Sequence, residues 1–188
     1  MRPLAIEAVI QRMATARAPA VLELGAGLST VFLARAAHEH GGRLVSIEHS
    51  RRWAGRVRRL LRREGLTRSA HVLRVPLEPL PESLRLPEVE GMRRPDAWYD
   101  VDRLRDACGE RLDLLLVDGP PGTPEVLVRA PALPALVDRL APGATVFLDD
   151  IGRPEERRAA AQWQQMLGGG LELRDDADVA VITSSGKG

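Results

Sequence analysis

The chain has 188 residues, a length that fits one domain built around one hydrophobic core. Its 27 basic and 26 acidic side chains leave a net charge of +1, which disfavours a dedicated nucleic-acid binder. Cys108 is the only cysteine, so a disulfide framework and a four-cysteine zinc site are both excluded. Since no apolar run approaches the ~20 residues that a membrane span needs, we expect a cytoplasmic protein without a membrane partner.

Short apolar runs alternate with stretches of helical periodicity, a pattern typical of a parallel sheet covered by helices on both faces. Helices are predicted over residues 4–17, 29–40, 51–64, 101–107, 135–140 and 154–167. Strands are predicted over residues 20–24, 44–48, 71–75, 112–118, 144–150, 171–174 and 179–183. The helical spacing assigns Phe32 and Trp53 to buried faces. The sequence therefore predicts a single α/β domain over residues 1–183, followed by a flexible tail over residues 184–188.

Residues 76–99 interrupt this alternation with five prolines, which disfavour a continuous helix or a central strand there. A loop of this length in a compact domain is often a functional cover or a mobile segment. We therefore predict an insertion that covers a pocket or joins a subunit partner in a homodimer. At its end, Trp98 and Tyr99 either line a substrate pocket or anchor the insertion to the body of the domain, and anchoring is the favoured interpretation.

The segment VLELGAGLST is the strongest chemical signal in the chain. A buried strand turns on Gly25 and Gly27, where glycine allows unusual φ values and a close approach of the backbone to a ligand. Glu48 ends the next strand at the spacing expected of a carboxylate that binds ribose hydroxyls. Thr30 replaces the third glycine of a dinucleotide motif, and the charge of Glu23 would repel a pyrophosphate. These features favour S-adenosylmethionine over a dinucleotide, and an oxidoreductase remains the rival interpretation.

Across nearly its whole length the chain resembles class I S-adenosylmethionine-dependent methyltransferases. VLELGAGLST and LVSIEHS are similar to their first two motifs, and LDLLLVDGPPG and GATVFLDDI to their motifs at the fourth and fifth strands. The pattern WYD, VDGPPG, RxPALP and LDDxxR narrows the resemblance to a bacterial group. The resemblance implies a doubly wound, Rossmann-like sheet in the strand order 3-2-1-4-5-7-6, with the seventh strand antiparallel.

The same resemblance implies which residues bind the cofactor. The glycine turn would hold the methionine part of S-adenosylmethionine, Glu48 the ribose hydroxyls, and His49 the adenine or ribose. Leu77 and Glu78 would meet the adenine amino group. The full set is Glu23, Gly25, Ala26, Gly27, Ser29, Thr30, Glu48, His49, Leu77, Glu78 and Asp118.

Three carboxylates follow the predicted fourth and fifth strands, whose ends open onto the ligand crevice of a doubly wound sheet. Asp118, Asp149 and Asp150 would repel one another there unless a proton or a cation, such as Mg²⁺, neutralised them. The arrangement is similar to the metal site of catechol-type O-methyltransferases, although Asp150 stands where they have asparagine and their lysine base is missing. A metal-free site, in which one aspartate is the base and Arg153 orients it, is the equal alternative.

The function predicted from the sequence is methyl transfer from S-adenosylmethionine to a small molecule at a hydroxyl group. Transfer to nitrogen or carbon without a metal stays open, as does a module that binds a ligand without chemistry. Arg129 and the PALP segment after it could meet an anionic substrate group or form a rigid turn. The arginine-rich helix after Ser50 is interpreted as a solvated surface, so no nucleic-acid partner is expected.

Overall fold

The computed structural model describes residues 1–84, 89–109 and 111–185. Within these ranges, the strands are β1 (Ala20–Leu24), β2 (Arg43–Glu48), β3 (Ala70–Arg74), β4 (Leu77–Pro79), β5 (Ala97–Tyr99), β6 (Leu112–Val117), β7 (Leu140–Asp149), β8 (Gly170–Arg174) and β9 (Val179–Thr183). The α-helices are α1 (Pro3–Ala14), α2 (Ser29–Glu39), α3 (Arg51–Arg63), α4 (Val101–Cys108), α5 (Ala132–Leu136) and α6 (Pro154–Leu167). Single 3₁₀ turns cover Glu82–Leu84 and Val137–Arg139.

Seven of these strands form one sheet in the order β3-β2-β1-β6-β7-β9-β8. The first five strands in this order run parallel, and β9 lies antiparallel to both of its neighbours. Without the short β4 and β5, this order is 3-2-1-4-5-7-6 with an antiparallel seventh strand, so the predicted topology is confirmed. None of the helices in the described ranges combines the length and the apolarity that crossing a bilayer requires.

The sheet is covered on both faces, because its central strands carry apolar side chains that alternate between two core clusters. Leu115 of β6 packs in the cluster that contains Trp163 of α6. Its neighbour Leu114 packs in the opposite cluster, with Val9 of α1 and Leu33 of α2. The direction of the sheet order reverses between β1 and β6, which pair in parallel. In a doubly wound sheet the ligand crevice opens beyond the carboxyl ends of the strands at this position.

The described part of the predicted insertion is a packed structure. β4 and β5 pair as a short antiparallel ribbon in which Leu77 lies opposite Tyr99. Leu80, Leu84 and Trp98 are buried in the core cluster around α6. Proline disfavours central strands because it has no backbone N–H to donate. It is tolerated here because the ribbon is a separate two-stranded sheet, with Pro79 at the end of β4. Residues 85–88 of the predicted loop lie outside the described residues.

Several local predictions are wrong. Phe32 is 49% exposed and Trp53 is 40% exposed, although helical spacing assigned both to buried faces. The helix predicted over 135–140 begins at Ala132, since Pro134 is tolerated in the first helical turn. The flexibility predicted for residues 184–188 stays a prediction, and the backbone N–H of Ser184 donates to the carbonyl of Ala144 at 3.0 Å. Residues 186–188 of that tail lie outside the described residues.

Candidate active site

A cavity of about 430 Å³ opens at the carboxyl ends of β1, β2 and β6, and we call it the glycine cavity. Six of the residues predicted to bind the cofactor line it, together with five that were not in that set. The lining residues are Gly25, Ala26, Gly27, Glu48, His49, Ser50, Trp53, Tyr99, Asp118, Gly119 and Pro121. The sequence motifs after β1, β2 and β6 thus meet at one place.

Two glycine turns touch each other at the floor of this cavity. Gly25 has a φ of +97°, and a Cβ atom there would lie 2.7 Å from the carbonyl oxygen of Asp118. A Cβ atom on Gly119 would lie 2.8 Å from the Cα of Gly25 and 2.8 Å from the Tyr99 hydroxyl oxygen. Any side chain would force these turns apart, because real Cβ atoms do not approach backbone so closely. Glycine is therefore needed at both positions for the backbones to meet.

Glu23 lies behind the turn and lines neither of the cavities described here. Its fully buried carboxylate accepts hydrogen bonds from the hydroxyls of Ser29 (2.7 Å), Thr30 (2.6 Å) and Ser46 (2.5 Å). The Thr30 hydroxyl oxygen in turn accepts the backbone N–H of Gly27 at 2.9 Å. Burial raises the pKa of Glu23, while these hydrogen bonds act in the opposite direction. The structure gives Glu23 and Thr30 a role in shaping the turn, and their contact with the cofactor stays a prediction.

The part of the lining that follows β2 carries the groups suited to a nucleoside. The backbone N–H of Ser50 donates to Glu48 Oε1 at 2.7 Å, and His49 Nδ1 lies 3.1 Å from the same oxygen. Trp53 donates its indole N–H to the carbonyl of Ala26 at 2.5 Å, which fixes the half-exposed ring at this wall. Sequence reasoning missed this role because Trp53 shares a helical stripe with Val57, which is buried.

Tyr99 contributes a buried phenol to the same cavity. Its hydroxyl has no hydrogen-bond partner among the described residues. Burial raises its pKa well above the ordinary value, so the hydroxyl stays protonated and can donate to a ligand. Trp98, its neighbour, packs in the core in an edge-to-face contact with the Tyr99 ring. Each of the two predicted roles therefore applies to one residue. Trp98 anchors the ribbon, and Tyr99 lines a cavity.

Leu77 and Glu78 lie on the ribbon and line neither the glycine cavity nor its neighbour. Both side chains are exposed. The structure does not bring them together with Glu48 and the glycine turn, and their contact with adenine stays a prediction.

The three predicted acidic residues meet at one edge of the glycine cavity. One carboxylate oxygen from each of Asp118, Asp149 and Asp150 lies within 4.8 Å of the others. Asp149 is only 1% exposed, and within the described ranges neither of its carboxylate oxygens accepts a hydrogen bond from a side chain or a backbone N–H. The Met1 amino group lies 3.1 Å from Asp149 Oδ2 and 3.3 Å from Asp118 Oδ2. Burial, together with the charge of Asp118, raises the pKa of Asp149 to about 7.

Arg129 supplies an internal positive charge to this acidic cluster. The guanidinium is 3% exposed and donates to Asp118 Oδ1 at 3.1 Å, to Asp150 Oδ2 at 2.8 Å and to the Asp149 carbonyl at 2.8 Å. The alternative that Arg129 meets an anionic substrate group is therefore not supported. Arg153 is half exposed and lies 3.2 Å from Asp150 Oδ2, consistent with the predicted orienting contact.

The donor set fits a divalent cation. The three carboxylates face Arg129, Arg153 and the Met1 amino group, so a divalent cation would take the place of that amino group between Asp118 and Asp149. Arg129 occupies one oxygen each of Asp118 and Asp150, so carboxylate oxygens remain, and oxygen is the donor that Mg²⁺ prefers. In addition, the ion pair with Arg129 neutralises Asp150, which makes that position closer in charge to the asparagine of the catechol-type enzymes. The position of the Met1 amino group shows that a positive charge fits between Asp118 and Asp149.

A second cavity of about 620 Å³ lies between α1 and the start of α2, and we call it the apolar cavity. It shares Gly27 and Asp118 with the glycine cavity. Its lining residues are Met1, Pro3, Ile6, Glu7, Ile10, Gln11, Gly27, Leu28, Ser29, Phe32 and Asp118. The predicted cofactor residue Ser29 is therefore a lining residue here, and sequence reasoning found none of the apolar side chains.

Comparison with known proteins identifies this arrangement. Residues 22–151, more than half of the chain, match a family model described as "Methyltransferase domain". Among curated proteins, none matches the chain. A glycine turn, an acidic residue after β2 and a crevice at the reversal of the sheet define a class of doubly wound enzymes that bind nucleoside cofactors. The chain belongs to the methyltransferase domain family, and it is a class I S-adenosylmethionine-dependent methyltransferase.

Solved structures share this fold at low sequence identity. Cofactor-bound Rv0187 from MTB is 19% identical with a TM-score of 0.65, covering 98% of this chain and 81% of that one. The O-methyltransferase TomG from Streptomyces achromogenes, solved with S-adenosylmethionine, is 19% identical with a TM-score of 0.59, covering 96% and 77%. An RNA methyltransferase from Salinibacter ruber, bound to S-adenosylhomocysteine, is 16% identical with a TM-score of 0.59, covering 98% and 92%.

Proposed function

We propose that this enzyme transfers the methyl group of S-adenosylmethionine to a hydroxyl of a small molecule, with a divalent cation held at Asp118, Asp149 and Asp150. The observation that carries the proposal is Asp149, whose buried carboxylate lies beside two further carboxylates and has the Met1 amino group, at 3.1 Å, as its cationic partner. A buried charge is stable only when it is paired. We also propose that the enzyme is cytoplasmic, that it forms a homodimer, and that its catalytic domain spans residues 1–183.

The glycine cavity is the proposed cofactor site. The touching turns at Gly25 and Gly119 form the floor of this site, and Glu48 has an oxygen left to accept from ribose hydroxyls. Trp53 supplies a flat apolar surface beside the adenine, and the free hydroxyl of Tyr99 donates to the cofactor. These contacts would place the sulfonium near Asp118, where the glycine and apolar cavities meet.

Methyl transfer is a displacement in which the acceptor oxygen bonds to the methyl carbon as the carbon–sulfur bond breaks and its electron pair returns to sulfur. The acceptor hydroxyl must lose its proton during this step. When no cation is bound to it, Asp149 is suited to take the proton, because burial and the charge of Asp118 raise its pKa to about 7, near a neutral operating pH. A divalent cation, when bound, lowers the pKa of the hydroxyl that it contacts. Arg129 holds Asp118 and Asp150 in place, and Arg153 supports Asp150.

The alternative is a metal-free site in which Asp149 alone removes the proton, and it suits a nitrogen or carbon acceptor as well as oxygen. An acceptor amine would fit the position that the Met1 amino group takes between Asp118 and Asp149, which is the same position proposed for the cation. The two candidates differ in their need for a metal.

The experiment measures S-adenosylhomocysteine production with 4-isopropylcatechol as acceptor, with and without a chelator, beside Mn²⁺ binding by electron paramagnetic resonance. Mg²⁺-restored activity and Mn²⁺ binding that is lost in Asp149→Asn support the proposal. The control is Asp138→Asn, an exposed carboxylate paired with Arg105 outside both cavities, which should bind Mn²⁺ as the wild type does. Activity that the chelator leaves unchanged would contradict the metal and support the alternative.

A further inference from the structure

We propose that the apolar cavity binds the body of the methyl acceptor, and that this acceptor is a largely apolar small molecule without an anionic group. The inference rests on the proposed methyl transfer and adds the chemical class of its substrate.

The position of the apolar cavity relates it to the reaction. Asp118 and Gly27 line both cavities, so the apolar cavity begins where the glycine cavity ends. A molecule in the apolar cavity can therefore present a hydroxyl at Asp118 while the cofactor occupies the other side. Its volume of about 620 Å³ falls within the range of small-molecule sites, roughly 300–1,000 Å³.

The lining has a composition that selects against anions. Its charged side chains are Glu7 and Asp118, both acidic, and no arginine lines it although the chain has 27 basic side chains. The arginines of the α1 segment contact other groups: Arg2 pairs with Asp178 at 3.1 Å, and Arg12 donates to Thr145 at 2.7 Å. An acceptor carboxylate or phosphate would lose its hydration there and meet Glu7 and Asp118, while the Met1 amino group at this lining is already paired with Asp118 and Asp149.

The apolar side chains at the mouth of the cavity are not accounted for by the core. Leu28 is 67% exposed and Phe32 is half exposed, whereas the buried face of α2 already supplies Leu33 and Ala37 to the core. Exposed apolar surface of this kind marks interaction sites when it lines a concave surface. Met1 lines this cavity, and its amino group lies 3.3 Å from Asp118 Oδ2, so a group at this lining can reach Asp118.

The test compares two acceptors of the same shape that differ in charge, 4-isopropylcatechol and 3,4-dihydroxybenzoate. Their binding to the protein with S-adenosylhomocysteine and Mg²⁺ is measured by calorimetry, and their methylation is measured separately. We expect 4-isopropylcatechol to bind at least about tenfold more tightly, because the carboxylate must be desolvated beside acidic groups.

Three variants locate the preference. Phe32→Ala should weaken 4-isopropylcatechol binding about fivefold through lost apolar contact. Phe32→Arg should shift the preference towards 3,4-dihydroxybenzoate by supplying a cation. Met166→Ala, an equally exposed apolar residue on α6 that lines neither cavity, should leave both affinities unchanged.

Equal or tighter binding of the benzoate to the wild type, no binding of either catechol, or an unchanged preference in both Phe32 variants would each overturn the inference. The proposed function fails separately, if neither compound is methylated. In that case the binding preference and its dependence on Phe32 still test whether the apolar cavity accepts apolar molecules and rejects anions.

Discussion

The two cavities that meet at Asp118 are built in different ways. The glycine cavity is formed by short motifs at the ends of β1, β2 and β6, and its shape depends on backbone that only glycine allows at Gly25 and Gly119. The apolar cavity is formed by side chains of α1 and α2, such as Ile6, Ile10 and Phe32, with no common motif. The cofactor site can therefore be recognised from short sequence motifs. The proposed selection of the acceptor depends instead on the packing of two helices, which no motif reveals.

The largest expected effect separates chemistry from cofactor binding. Asp149→Asn should lower turnover by about 10³-fold, because it removes the proposed base and a metal ligand. The affinity for S-adenosylhomocysteine should change by less than about twofold, since Asp149 does not line the glycine cavity. Product formation and calorimetry measure the two effects, and Asp138→Asn serves as the control. A parallel loss of cofactor affinity would show that the acidic cluster belongs to the cofactor site instead.

Arg129 tests whether the cluster needs its internal charge. Arg129→Met should lower the free energy of unfolding by about 3–5 kcal/mol, because it removes the buried cation that faces Asp118, Asp150 and the buried Glu156. Asp150→Asn added to that variant should restore part of the loss, since Asp150 is its partner at 2.8 Å. Chemical denaturation measures both. A double variant no more stable than Arg129→Met would mean that Arg129 acts on other groups, such as Glu156.

The free energy of unfolding should change with pH as Asp149 loses its proton. Its pKa is raised from 3.8 to about 7 in the folded protein, so the folded state holds the proton more tightly than the unfolded state. Stability from this group is therefore present below pH 4 and lost as the pH rises through 7. In the presence of a chelator, wild-type protein should lose on the order of 3 kcal/mol relative to Asp149→Asn over this range. Parallel stability curves for the two proteins would contradict the raised pKa.

The smallest effect concerns the glycine cavity alone. Glu48→Ala should weaken S-adenosylmethionine binding by about 1–3 kcal/mol, the range for loss of a charged hydrogen-bond partner. Binding of 4-isopropylcatechol should not change. Glu78→Ala is the matched variant, because the sequence places Glu78 at the adenine whereas the structure places it on the exposed ribbon. An equal loss of cofactor affinity in both variants would mean that the ribbon residue Glu78 also contacts the cofactor.

Elements with strong local signals were predictable from the sequence. The parallel strands, the glycine turn and the three aspartates are encoded by short apolar runs, glycines and strand-end carboxylates, and the sheet order followed from the family resemblance. Long-range contacts were not predictable. The burial of Arg129, the exposure of Phe32 and Trp53, and the ribbon of β4 and β5 all depend on neighbours distant in sequence. Helical periodicity could not show that two aromatic side chains line cavities.

In the proposed complex, the cofactor reaches Asp118 from the glycine cavity and the acceptor reaches it from the apolar cavity. The most direct measurement is a crystal structure with S-adenosylhomocysteine, Mn²⁺ and 4-isopropylcatechol, using anomalous scattering to locate the metal. We expect the nucleoside beside Glu48 and Trp53, the isopropyl group beside Phe32, and Mn²⁺ between Asp118 and Asp149. A nucleoside in the cavity between α1 and α2, or an acceptor bound away from Asp118, would contradict the account.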